Sequence, residues 1–85
     1  MTAKEMFEAL DYEQVTNNDN FIEYMDGSHG DGDYAYISFG RMWKEYEVGY
    51  FDGYETQTRE PMRVSIKEHE AITKQMKELG WLWYD

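Results

Sequence analysis

The chain contains no cysteine and a single proline, and no apolar run approaches the roughly 18–20 residues of a membrane span. Without cysteine there is no disulfide, no thiolate zinc site and no thiol nucleophile. The N-terminus lacks the apolar segment of a signal peptide, so the reading is a soluble, cytoplasmic protein with no membrane partner. Phosphate-binding fingerprints are missing too. Gly27, Gly30 and Gly32 are followed neither by Lys-Ser/Thr nor by a helix pattern. Bases are scarce: 8 Lys and Arg stand against 18 Asp and Glu, a net charge of −10. An acidic chain repels nucleic acid and anionic lipid and attracts basic surfaces.

The acids are unevenly placed. Within the first 33 residues lie Glu5, Glu8, Asp11, Glu13, Asp19, Glu23, Asp26, Asp31 and Asp33, opposed by Lys4 alone. Aromatic residues are plentiful, with 3 Trp, 8 Tyr and 4 Phe among 85 residues. A chain this short forms one domain, residues 1–85, whose core is marginal without staples. Rings that each bury about 150–250 Å² supply apolar area, and eight tyrosines exceed what a small core holds, leaving some for contacts.

Thr2-Ala-Lys-Glu5 is a capping box that opens a helix over residues 3–10, with Met6, Phe7 and Leu10 on its apolar stripe. Residues 12–17 and Phe21–Met25 read as strands separated by the turn cluster Asn17-Asn-Asp-Asn20. Tyr34–Phe39 alternates Ala35, Ile37 and Phe39 with Tyr34, Tyr36 and Ser38. Gly40-Arg41 turns the chain into a long strand, Met42–Phe51, with Tyr46, Val48 and Tyr50 on one side and Glu45 and Glu47 on the other. Asp52-Gly53 is a hairpin signal leading to an edge strand, Tyr54–Arg59, before Pro61. A second capping box, Ser65-Ile-Lys-Glu68, starts the C-terminal helix. Its expected stripe is His69, Ile72, Met76 and Leu79, Gly80 is its left-handed stop, and Trp81–Tyr84 should fold back on the sheet or cover an edge. The order predicts an α+β domain: an antiparallel sheet of about four strands flanked by an N-terminal and a C-terminal helix.

The glycine-rich loop 26–33 offers Asp26, Ser28, His29, Asp31 and Asp33 as oxygen or nitrogen donors, but its sixth position is Asp31 and its twelfth Ile37, against the EF-hand pattern. A mobile acidic loop is the simpler reading, with a metal-binding domain as an alternative. Ser28, His29 and Asp31 are too close in sequence to form a nucleophile, base and orienter. Glu23, Glu45 and Glu47 could pair across strands as acid and base, yet no apolar pocket is evident to split their pKa values. His69 reads as a packed helix residue. No catalytic residue, metal site or cofactor is assigned, and the protein is expected not to be an enzyme. Tyr34, Tyr36, Tyr46, Tyr50 and Tyr54 resemble a base-stacking platform, but one set among carboxylates argues against direct nucleic-acid binding.

The stretch from Glu60 to Trp81 (Glu-Pro-Met-Arg-Val-Ser-Ile-Lys-Glu-His-Glu-Ala-Ile-Thr-Lys-Gln-Met-Lys-Glu-Leu-Gly-Trp) resembles the end of small phage and prophage proteins of Gram-positive bacteria. The opening from Thr2 to Leu10 is similar in style to theirs. The resemblance implies a phage origin, a host-cell cytoplasmic location and, by analogy, an inhibitor of host defence. Taken with the acids, the expectation is a protein that mimics DNA, of the anti-restriction or anti-CRISPR kind, and binds a basic host protein such as a nuclease. The residues expected to make that contact are Glu13, Asp19, Glu23, Asp26, Asp31 and Asp33, with Tyr24, Tyr34 and Tyr36 beside them. The alternative is an interaction module that forms a homodimer through 54–59 or 81–84, its acids serving only solubility.

Overall fold

The structure, a computed structural model, describes residues 1–27, 32–51, the backbone of 59–60, and 63–82. Helix α1 spans Ala3–Glu8, and its capping box is formed as expected. Glu5 N–H donates to Thr2 Oγ1 at 3.1 Å and Thr2 N–H donates to Glu5 Oε1 at 2.8 Å. That second bond holds the Glu5 carboxyl below its ordinary pKa. The helix is shorter than the stripe suggested. Asp11 adopts φ 71°, and the N–H groups of Leu10 and Tyr12 both return to the Phe7 carbonyl at 2.9 and 3.0 Å. The chain is thereby turned so that Tyr12 enters the core beside Phe7.

Five strands follow as an antiparallel meander in sequential order: β1 Glu13–Asn17, β2 Phe21–Asp26, β3 Tyr34–Gly40, β4 Glu45–Phe51 and the short β5 Arg59–Glu60. Asn18 shapes the first turn, its Oδ1 accepting from the N–H groups of Asn20 and Phe21 at 2.8 Å each. The strand expected from residue 42 starts three residues later. Gly40 pairs with Glu45, so residues 41–44 form the hairpin loop, Lys44 takes φ 54°, and Met42 and Trp43 stand exposed at its tip. Arg41 binds this loop to the first turn, with Nε donating to the Asn18 carbonyl at 2.7 Å and Nη2 to Asn17 Oδ1 at 3.0 Å. The proposed edge strand 54–59 lies outside the described residues except for Arg59, which pairs with Phe51.

Period-2 alternation sends Ile22 and Tyr24 of β2, Ala35, Ile37 and Phe39 of β3, and Val48 and Tyr50 of β4 to one face. Both helices cover that face. Helix α2, Ile66–Glu78, opens on the expected Ser65 capping box and closes with Gly80 at φ 78°. There Trp81 N–H reaches the Met76 carbonyl and Gly80 N–H the Lys77 carbonyl, a Schellman arrangement. Its buried face is rotated from the expected stripe: Ala71, Ile72 and Gln75 are buried and His69 is exposed. Polar bonds to the layer below account for the rotation. Tyr24 Oη donates to Gln75 Oε1 at 2.5 Å and accepts from Gln14 Nε2 at 3.2 Å. Tyr12 Oη donates to Glu68 Oε2 at 2.7 Å. Ala3 N–H, left without a partner in the first turn of α1, donates to Glu78 Oε2 at 2.8 Å. Ring contacts fill the space between. Phe7 stacks on Tyr24 at 4.1 Å between centroids and meets Tyr12 and Phe39 edge-on. Trp81 folds back as anticipated, 6.3 Å from Phe39.

Candidate binding surface on the helix-free sheet face

Cross-strand pairs in direct register share a face of the sheet. Opposite the helices, the register therefore lines up four rows: Tyr34 with Phe51; Glu13, Met25, Tyr36 and Gly49; Thr16, Glu23, Ser38 and Glu47; and Phe21, Gly40 and Glu45. Carboxylates and rings are interleaved. The four strands β1 to β4 contain no lysine or arginine, so every charge on the described part of this face is negative.

The rows are internally bonded. Ser38 Oγ donates to Glu23 Oε2 at 2.8 Å, and Tyr36 Oη donates to Glu47 Oε2 at 3.3 Å. Tyr34 stacks on Phe51 at 5.1 Å and lies 6.3 Å from Tyr36. Tyr36 in turn lies across Gly49, where a Cβ would sit 2.5 Å from its hydroxyl and 2.6 Å from Cζ, so only glycine admits this ring position. Between these groups runs an open groove of about 300 Å³ lined by Val15, Glu23, Met25, Tyr34, Tyr36 and Phe51, with Ser38 and Glu47 on its wall.

The nine residues expected from sequence to meet a partner are divided by this geometry. Glu13, Glu23, Tyr34 and Tyr36 come together on the helix-free face. Asp19 is exposed in the β1–β2 turn. Asp26 pairs with Ala35 and lines a smaller pocket on the helix side with Tyr12, Tyr50, Arg63 and Glu68. Asp33 is half-buried, with Oδ2 accepting from Tyr50 at 3.1 Å and Oδ1 buried without a hydrogen-bond partner among the described residues. Asp31 lies outside the described residues, as do Ser28 and His29. Tyr24 requires a correction. It is 1% exposed, stacked on Phe7 and bonded to Gln75, so its side chain belongs to the core. Its parity with Ile22 already points inward.

Compared with family models, curated proteins and solved structures, the chain matches none. The surface is therefore read from its own chemistry. Glu23 and Glu47 stand in one row with Ser38 between them on the intervening strand, which puts their backbones about 10 Å apart. Among the described residues no three His, Asp or Glu side chains gather to hold a metal ion, and no helix is long and apolar enough to cross a membrane. Of the segments considered for self-association, Trp81 is committed to the core, while 54–58 and 83–84 lie outside the described residues.

Sequence reasoning passed over Met25, Ser38 and Phe51 on this face, and Met42 and Trp43 at the hairpin tip. Trp43 is 75% exposed, and Phe21 and Tyr46 nearby are each 46% exposed. The signal for Trp43 was available: an apolar pair directly after Gly40-Arg41 has no place in a two-sided strand that begins at Glu45.

Proposed function

We propose that the protein is a small non-enzymatic inhibitor of the phage type that docks its helix-free sheet face on a basic, nucleic-acid-binding surface of a host protein. One observation carries this reading. Glu13, Glu23, Glu45 and Glu47 alternate with Met25, Tyr34, Tyr36 and Phe51 on a face whose four strands hold no base. Carboxylates at strand spacing can take up Arg and Lys side chains that would otherwise bind phosphates, each in a charge-assisted hydrogen bond. Half-buried rings among them supply the apolar anchors that carry most binding energy in protein interfaces. The acids thus occupy the partner's groove in place of DNA or RNA, within the host cytoplasm. The resemblance of the chain's two ends to Gram-positive phage proteins agrees with such a role.

The test is a capture experiment from bacterial lysate with the intact chain, eluted by a salt gradient. A nuclease or another nucleic-acid-binding protein should be released at moderate salt and displaced by competing DNA. The quadruple variant Glu13→Gln, Glu23→Gln, Glu45→Gln, Glu47→Gln should bind that partner at least about tenfold more weakly, a loss of about 1.4 kcal/mol or more. If the neutralised face holds the same partner equally well, the proposal is wrong.

A further inference from the structure

The groove on the helix-free face has a more specific character than a patch of negative charge. The geometry points to a receptor for one arginine side chain of the partner, with Glu23 as the anion that holds it; the inference rests on the docking function proposed above. Glu23 is half-buried in the middle of the groove, and its Oε2 accepts from Ser38 Oγ at 2.8 Å, which fixes the carboxylate's direction. A carboxylate accepts at about four lone-pair positions, so the bond from Ser38 leaves room for a two-pronged donor. Glu47, already accepting from Tyr36, adds a second negative charge on the same wall.

The remaining walls select the shape of the cation. Tyr34, Tyr36, Met25 and Phe51 are apolar or aromatic and half-buried, and Tyr34 and Phe51 are stacked with only 25° between their planes. A planar, weakly hydrated guanidinium can lie on such rings while donating in parallel to a carboxylate. An ammonium is more strongly hydrated and has no flat face, so it would lose water without equal return. A volume of about 300 Å³ is large enough to admit one arginine side chain. The phosphates that accompany a nucleotide base would be repelled by Glu23, Glu47 and Glu13.

The experiment is a titration of the intact, isotope-labelled chain with three blocked tripeptides, acetyl-Gly-X-Gly-amide, where X is arginine, lysine or citrulline. The arginine peptide should shift the backbone signals of Glu23, Met25, Tyr36 and Ser38 in a saturable way. Lysine should bind about fivefold or more weakly, since it cannot donate in a planar fork, and citrulline, isosteric but neutral, should not bind. Glu23→Gln, which keeps an acceptor for Ser38, should abolish the arginine response with unchanged melting, whereas Glu70→Gln, an exposed carboxylate of α2 on the opposite side of the sheet, should alter it less than about twofold. Equal responses to arginine and lysine, shifts scattered over all acidic positions, or equal losses in the two variants would overturn the inference. Those results would leave a salt-released partner in the capture experiment intact, so failure of the groove and failure of the docking function are distinguishable.

Discussion

The two faces of the sheet are built from the same strands and both carry tyrosines, yet they do opposite things with their polar groups. On the helix side Tyr24 is 1% exposed and its hydroxyl is bonded twice, to Gln75 and Gln14. One residue along, on the other side, Glu23 faces an open groove. On the helix side polar groups serve as pins: Glu68, Gln75 and Glu78 of α2 tie down Tyr12, Tyr24 and the start of α1. On the free side bonds of similar length aim carboxylates outward. The contrast teaches that residue type alone does not assign a tyrosine to core or surface here. Strand parity does.

The contrast breaks most visibly at Phe7. Its ring contacts Tyr12, Tyr24 and Phe39, so Phe7→Ala should cost about 3–5 kcal/mol. A domain this small has about that much stability in total, so the variant should be unfolded by circular dichroism at room temperature. The quadruple change on the free face should leave melting close to that of the parent.

A second way to sharpen the comparison is alkaline pH. Burial, before any other cause, raises the pKa of Tyr12 and Tyr24 above the ordinary 10.0. A phenol whose folded pKa is raised contributes stability that is complete below 10.0 and lost as pH climbs toward the folded value. Part of the phenolate absorbance should therefore appear only together with loss of the far-ultraviolet signal. Tyr24→Phe should reduce that concerted step. Ionisation of all eight tyrosines with the fold intact would contradict the burial of both rings.

A smaller loss than at Phe7 is expected on the free face. Gly49→Ala places a methyl against the Tyr36 ring and should cost about 1–3 kcal/mol through the forced displacement. With Tyr36→Ala already present the cost should fall, giving a coupling of about 1 kcal/mol in a double-mutant cycle read by denaturant unfolding. Additive effects would mean that the ring does not rest on the glycine.

Much of this architecture is legible in the amino-acid order, for reasons that are local. Both capping boxes, the alternation in β3 and the left-handed Gly80 depend on residues within one turn or one strand. What was misread depends on distant partners. Gln75 looks like a surface residue of α2 until Tyr24, 51 positions earlier, demands an acceptor in the core. That demand turns the helix and releases His69 to solvent. Met42 and Trp43 look like strand residues because the loop length is set by Gly40 pairing with Glu45. The groove is less legible still. Glu23, Ser38 and Glu47 form one row only through two successive registers, and no short motif spans that distance.

The register of β1 shifts between Gln14 and Thr16, which makes Val15 the extra residue of a bulge in the outermost strand. A bulged edge does not offer the even ladder of donors and acceptors that a second extended chain would need in order to zip on. Protection against fibre growth is thus provided on this side by backbone shape, where many small β-rich proteins depend on mutual repulsion of charge. The glutamates of the free face are thereby released from guarding this edge. Their number and spacing are open to selection for whatever they meet.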